Sequence, residues 1–499
     1  MSHSAKKIAS AMGWNLAFVL VTAGAQILTT MLLGRLLSPS DYGVFAFANA
    51  IVVFGMHLSQ RGLATAILRQ HTLSPTDIGN AYIVASLVSI ALGGLTVLGS
   101  IALRTFGGGA LDQQTRLLLF MAIPVIFQLI ATPAASLLQR DLATVKASVV
   151  SVAGILIGNG LTAATLAFYG FGPWSLALGA AANALVTLLM NHWFARASVR
   201  FRWESSEIRR LLREAIAMNG LRALDVAWVQ LPLVIFGLRA PSATAGIYQR
   251  SQFVADILLQ MTVGRLSAVL YAALAARGEG QSTSNRMYRL TFTFLSALVF
   301  PIVGFVFAAS DNVLGVLLGP AWTSGAWTLR LLIVAFGIWT VNQAAGMMLE
   351  LRARFADRYI CSAAAAASLL LCIAMAPPDN LVLMSLPAVF SMLFTAIVVH
   401  VRAGETLRTA PQLLALLGPG LTFGLTSFIG AMLGGKIAVE LSLPLYFWQL
   451  LLQGCGACLL SGLAAIPIMR LPQMQPFLGV LDLFAPNLRF RLRLGRATP

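Results

Sequence analysis

The chain of 499 residues carries 34 Lys and Arg against 17 Asp and Glu, and charged residues make up only 10% of it, against roughly 25% in a soluble globular protein. With 58% hydrophobic residues and a mean hydropathy of +0.82, a soluble multi-domain enzyme is excluded, because its surface would expose more apolar area than water tolerates. The net charge of +17 does not mark a nucleic-acid surface either, since the basic residues lie between apolar runs instead of clustering with aromatics in one module.

Lys6 and Lys7 precede an apolar run from about Ala11 to Leu33. That run exceeds the core of about 7 to 15 residues in a cleaved signal, so it reads as a first membrane span. Breaking the remaining apolar runs at charged or Pro/Gly/Asn-rich stretches predicts an all-α polytopic membrane protein with about 14 transmembrane helices. The expected centres are Ala23, Val52, Ser89, Gln128, Ile157, Leu185, Ala227, Leu258, Ala297, Ile338, Leu369, Val389, Phe423 and Gly456. If both termini are placed in the cytoplasm, most of the Lys and Arg residues fall in cytoplasmic connectors, as positive charge near short loops requires. Arg35, Arg104, Arg116, Arg239, Arg330 and Lys436 fall on the opposite side.

This parse divides the chain into an N-lobe of spans 1–6 (1–194), a basic amphipathic cytoplasmic linker (195–215), a C-lobe of spans 7–12 (216–400), spans 13–14 (401–470) and a basic cytoplasmic tail (471–499). In the linker, Ile208, Leu211, Leu212 and Ala215 share one helical face while Arg209, Arg210 and Arg213 occupy the other. The pattern suits a helix lying on an anionic leaflet, and equally a solvated connector. The four cysteines lie in apolar stretches and read as buried small hydrophobes, with Cys455-Gly-Ala-Cys458 a weak metal signal. Gly154 with Gly158, and Gly430 with Gly434, are spaced for close helix packing.

The chemistry must lie inside the membrane. The sequence contains no phosphate-binding Gly/Lys loop and no His-Glu-x-x-His pair, so neither an enzyme nor a cofactor is expected. A charge at the bilayer centre costs on the order of 2.5–3.5 kcal/mol, which makes Arg222, Asp225, Arg250, Asp256 and Arg265 candidates. In span 8, Gln249, Arg250, Asp256, Gln260 and Arg265 occupy one half of the helix, so this helix faces an aqueous cavity or a polar partner. In span 7, Asn219, Arg222 and Asp225 share a face, where Arg222 and Asp225 could also neutralise each other. In span 2, Asn49, His57 and Arg61 lie near one another, and Arg61 also fits a plain positive-inside residue. The substrate-binding set is therefore Arg250, Arg265, Arg222, Arg61, Gln249, Gln260, Asn49 and His57, with Asp225 and Asp256 as coupling acids.

An ungapped internal match pairs Gly34-Arg-Leu-Leu-Ser-Pro-Ser-Asp-Tyr-Gly43-Val-Phe45 with Gly237-Leu-Arg-Ala-Pro-Ser-Ala-Thr-Ala-Gly246-Ile-Tyr248. Each piece leaves an odd-numbered span and opens an even-numbered one. The halves are then parallel repeats, giving two parallel six-helix lobes plus two C-terminal helices.

The stretch from Leu33 to Ala48, with Ala245-Gly-Ile-Tyr248, resembles the Wzx-type polysaccharide transporter family of the multidrug/oligosaccharidyl-lipid/polysaccharide exporter superfamily. The resemblance implies a two-lobed flippase of the bacterial inner membrane. Its substrate would be an undecaprenyl-pyrophosphate-linked oligosaccharide, and its surroundings membrane lipids and the polysaccharide polymerase and export machinery, with no nucleic acid. Related lipid-carrier flippases place arginines in spans 1, 2 and 8, whereas span 1 here offers only Asn15 and Gln26. A cation-coupled drug antiporter of the same superfamily and a membrane polysaccharide polymerase are the competing readings. The first would place several acids in its cavity and the second would carry a large external loop.

Overall fold

In hydrocarbon every backbone N–H and C=O must be satisfied by the protein itself, which leaves this chain only helices or a closed barrel. The computed structural model resolves the choice in favour of helices. It describes residues 21–69, 73–106, 112–141, 143–196, 198–259, 281–352, 354–378, 380–403, 410–442 and 446–469. The helices are α1 (21–36), α2 (Pro39–Arg69), α3 (Pro75–Phe106), α4 (Asp112–Phe120), α5 (Ala122–Arg140) and α6 (Thr144–Gly154). A π-helical segment, Ile155–Thr162, joins α6 to α7 (Ala163–Phe168), followed by α8 (Pro173–Ala195), α9 (Ser205–Arg239) and α10 (Ser242–Leu259). Then come α11 (Gln281–Leu317), a 3₁₀ turn (Pro320–Gly325), α12 (Ala326–Leu351), α13 (Phe355–Met375), α14 (Leu381–Ala403), α15 (Ala410–Glu440) and α16 (Tyr446–Met469).

Every expected span centre falls in one of these helical segments, and among the described residues 10 helices are long and apolar enough to cross a membrane. Side chains such as Ile90 at 66%, Leu161 at 67% and Leu459 at 67% exposure would be untenable in water. In a bilayer they are the lipid-facing surface. The protein is an all-α, multi-pass membrane protein.

Local sequence sets the helix starts. Ser38-Pro39-Ser-Asp41 and Ser74-Pro75-Thr-Asp77 each put proline at the first helical position and an acid in the first turn. In both, the box closes reciprocally. The Ser38 amide donates to the Asp41 carboxylate at 3.0 Å and the Asp41 amide to the Ser38 hydroxyl at 3.3 Å. The Ser74 and Asp77 pair repeats this at 2.8 and 3.2 Å.

The chain forms two compact units, one running to Gln249 with Leu317–Ala321, the other comprising Arg250–Val316 and the chain from Trp322 onward. In the first unit the repeat halves meet. A Cβ on Gly43 would lie 1.7 Å from the Ser242 carbonyl oxygen, and a Cβ on Gly246 would lie 1.9 Å from that of Pro39. The two glycines matched in the internal repeat thus let the first turns of α2 and α10 cross backbone to backbone. Gly237, the repeat partner of Gly34, seats the fully buried Phe47 between α9 and α2.

The linker helix is continuous with α9, and its apolar face meets protein. Ile208 and Leu211 are buried in a cluster with Ile67 of α2, Ala81, Val84 and Ala85 of α3, and Leu137 of α5. Just before it, the extended segment crosses the start of α3, with the Arg200 amide on the Pro75 carbonyl at 2.9 Å. Gly79 has no Cβ there because one would stand 2.0 Å from the Arg200 carbonyl oxygen.

The spacing of Gly154 and Gly158 does serve close packing, against Asn183 of α8, and Gly430 and Gly434 do the same against Gly456 and Leu452. The cysteine expectation holds only in part. Cys361 is buried, but Cys455 and Cys458 are exposed on α16, whose outer surface is apolar enough to carry them in lipid.

Candidate functional site

Helix α10 presents its polar residues as an accessible stripe. Gln249, Arg250, Phe253 and Asp256 are half-buried, while Tyr248, Ser251, Gln252, Val254 and Ala255 on the rest of the helix are buried. Steps of about 100° per residue put Gln249, Phe253 and Asp256 nearly in line, with Arg250 at the edge of the line. Arg250 stands eight residues into the helix, roughly 12 Å from its start. Its guanidinium carbon lies 5.2 Å from the centroid of the Phe253 ring, a cation–π contact that steadies the side chain.

Asn49 and His57 are half-buried on α2 and Asp225 is half-buried on α9. These two helices pack side by side in the first unit. Arg61 and Arg222 belong to α2 and α9, but their side chains lie outside the described residues, as do Gln260 and Arg265 altogether.

Two cationic sites were not singled out by the sequence. Arg358, which reads as an ordinary loop charge beside Arg352 and Arg354, is only 8% exposed on α13. It donates to the Ser362 hydroxyl at 2.7 Å and to the Gln343 side-chain oxygen at 3.2 Å, and its Nε is 3.5 Å from the Glu350 carboxylate. These partners tie α13 to α12. Asp357 beside it takes Arg354 at 2.8 Å and Arg402 of α14 at 3.1 Å. The second site is Arg330, which joins Asp311 at 2.5 Å, the Phe307 carbonyl at 3.1 Å and the Trp327 ring at 4.7 Å. Both acids sit on a neighbouring helix, so no local spacing in the sequence signals either pair. Both arginines hold helices together, whereas Arg250 lies on an accessible stripe.

A many-helix membrane protein with charged and amide side chains on helices such as α10 has the architecture of a transporter. The family model described as polysaccharide biosynthesis protein matches residues 32–326, and the chain belongs to that family. The succinoglycan biosynthesis transport protein ExoT of Rhizobium meliloti (strain 1021) is 25% identical over 338 residues, 68% of each chain. The lipopolysaccharide biosynthesis protein WzxC of Escherichia coli (strain K12) is 20% identical over 354 residues, 70% of this chain and 71% of that one. Among solved structures, the lipid II flippase MurJ in an inward closed conformation superposes with a TM-score of 0.71 at 9% identity, covering 93% of this chain and 99% of that one. An inward-facing multidrug resistance MATE family transporter gives 0.54 at 13% identity, covering 79% and 96%. At such identities these two likenesses speak for the fold alone.

Proposed function

We propose that the protein is a flippase that carries an undecaprenyl-pyrophosphate-linked oligosaccharide repeat unit from the cytoplasmic to the periplasmic leaflet of the bacterial inner membrane, for exopolysaccharide, capsule or O-antigen synthesis. The observation that carries this reading is the family match over residues 32–326, together with a transport protein of polysaccharide synthesis aligned over two thirds of the chain. The drug-antiporter reading shares the fold, while the relatives aligned by sequence are named for polysaccharide and lipopolysaccharide biosynthesis.

The physical task is to bring a pyrophosphate into a low-dielectric space, where its lost water must be replaced by cations and donors. Arg250, and with it Arg265, Arg222 and Arg61, supply permanent charge and forked donors for the phosphates. Gln249, Gln260, Asn49 and His57 contact sugar hydroxyls without demanding one sugar. Asp225 and Asp256 exchange a coupling ion as the lobes 1–194 and 216–400 alternate access through this basic cavity. Both termini and the connector 195–215 lie in the cytoplasm, and the carrier hands its cargo to the polymerase and export machinery. Deleting the gene in its own bacterium tests the reading. The mutant should lose surface polymer and accumulate the lipid-linked repeat unit, and loss of polymer without that accumulation would remove the proposal.

A further inference from the structure

Within the second unit, α11, α15 and α16 line an open pocket of about 430 Å³ that is separate from the polar stripe of α10. Its construction begins with the α15–α16 hairpin. A Cβ on Gly434 would lie 2.2 Å from the Leu452 carbonyl oxygen, so glycine alone permits this approach. The Asn312 amide on α11 then donates to the Gln453 side-chain oxygen at 2.9 Å, and Gln453 is 8% exposed. This bond closes the floor. The walls bring Lys436 and Glu440, one helical turn apart on α15, together with Gln449.

Lys436 and Glu440 have the spacing of an intrahelical pair, but with lysine first they are in the weaker order. Among the described residues no ion pair joins them to each other or to another side chain. The pocket therefore offers one cation and one anion side by side. Lys436 and Glu440 are both exposed at its rim, where a lone anion would meet the repulsion of Glu440 and a lone cation that of Lys436. A ligand carrying both charges satisfies both walls. The surface of α15 running on from the pocket is apolar and exposed at Leu433, Ile437 and Val439, and Tyr446, Phe447 and Trp448 are exposed at the start of α16. Aromatic side chains in that position mark interfacial depth.

We propose that this pocket holds the headgroup of a phospholipid bearing a phosphate and a primary ammonium, of the phosphatidylethanolamine kind, with its acyl chains along α15. Lys436 takes the phosphate and Glu440 takes the ammonium. The volume lies within the usual range for a small-ligand site, about 300–1,000 Å³. The site does not depend on what the protein transports.

The experiment uses the purified full chain, stripped of lipid in detergent and offered phosphatidylethanolamine, phosphatidylcholine or phosphatidylglycerol of identical acyl chains. Bound lipid is read by native mass spectrometry and protection by melting temperature, each variant against its own lipid-free baseline. Phosphatidylethanolamine should be retained about tenfold better than the other two, the worth of one charge-assisted hydrogen bond. Glu440→Gln should erase that preference, while Lys436→Gln should weaken phosphatidylethanolamine and phosphatidylcholine alike. Soluble phosphoethanolamine should give no protection. Equal retention of the three lipids by the native protein would overturn the proposal, as would an unchanged preference in both variants. Full protection by soluble phosphoethanolamine would move the ligand from lipid to solute and refute it equally.

Discussion

Replacing Gly43 by alanine adds one methyl group where there is no room for it, 1.7 Å from a backbone oxygen of α10. Ordinary contact begins at 3.4 Å, so the first turns of α2 and α10 must move apart by more than an ångström. A carbonyl cannot rotate away as a side chain would. Overpacking of this kind costs up to about 3 kcal/mol, offset by roughly 0.5–1 kcal/mol because alanine is the better helix former. The net loss of about 2 kcal/mol should lower the detergent melting midpoint by roughly 4–8 °C in a unit of this size. Gly246→Ala should do the same from the other side, 1.9 Å from the Pro39 oxygen. Because both methyl groups force open one crossing, the double variant should lose clearly less than the sum of the single losses. Gly94→Ala on α3, with nothing within 4 Å of its Cβ, is the control and should melt at or above the native midpoint. If Gly43→Ala and Gly246→Ala melt with the control, or their losses add, the crossing does not exist as described.

Arg250→Ala should abolish polymer export while the inserted amount and melting midpoint stay native, with Lys rescuing only in part because it lacks the fork. A loss of export that merely tracks lost protein would sink that role. Arg358→Ala should behave in the opposite way, costing about 1–3 kcal/mol by removing the bonds to Ser362 and Gln343 and the contact with Glu350, with export falling only in proportion to folded protein. Asp256→Asn should fold normally but change the dependence of transport on pH or on the ion gradient, and transport indifferent to both would end its coupling role. A cysteine at the exposed Ser206 should react with membrane-permeant maleimide only, and labelling by an impermeant reagent in intact cells would invert the topology.

Much of the fold is legible because the bilayer imposes one length scale and one secondary structure. The apolar runs centred on Ser89, Leu369 and Gly456 therefore stand where helices α3, α13 and α16 are found. The Ser-Pro-x-Asp phrases are legible for a second reason, since capping is local and needs nothing beyond four residues. What is not legible is who faces whom. The internal repeat pairs Gly43 with Gly246, yet only the tertiary structure lays each against the other's first turn. The amphipathic face of Ile208 and Leu211 has the same stripe whether it meets lipid or protein, and it meets α2, α3 and α5. Arg358 shows the same limit for charge. A basic residue four positions from Arg354 looks like a loop residue until Gln343 and Glu350 on a different helix are seen to enclose it.

The central claim is tested most directly by translocation itself. The purified protein is reconstituted in vesicles with a fluorescent polyprenyl-pyrophosphate oligosaccharide, and the fraction accessible to a membrane-impermeant quencher is followed in time. Lipid-linked sugar should cross between leaflets at a rate that rises with protein content and falls to the protein-free level in Arg250→Ala. Equal rates in empty and protein-containing vesicles, with folded protein verified in the membrane under the ion gradient, would contradict the account.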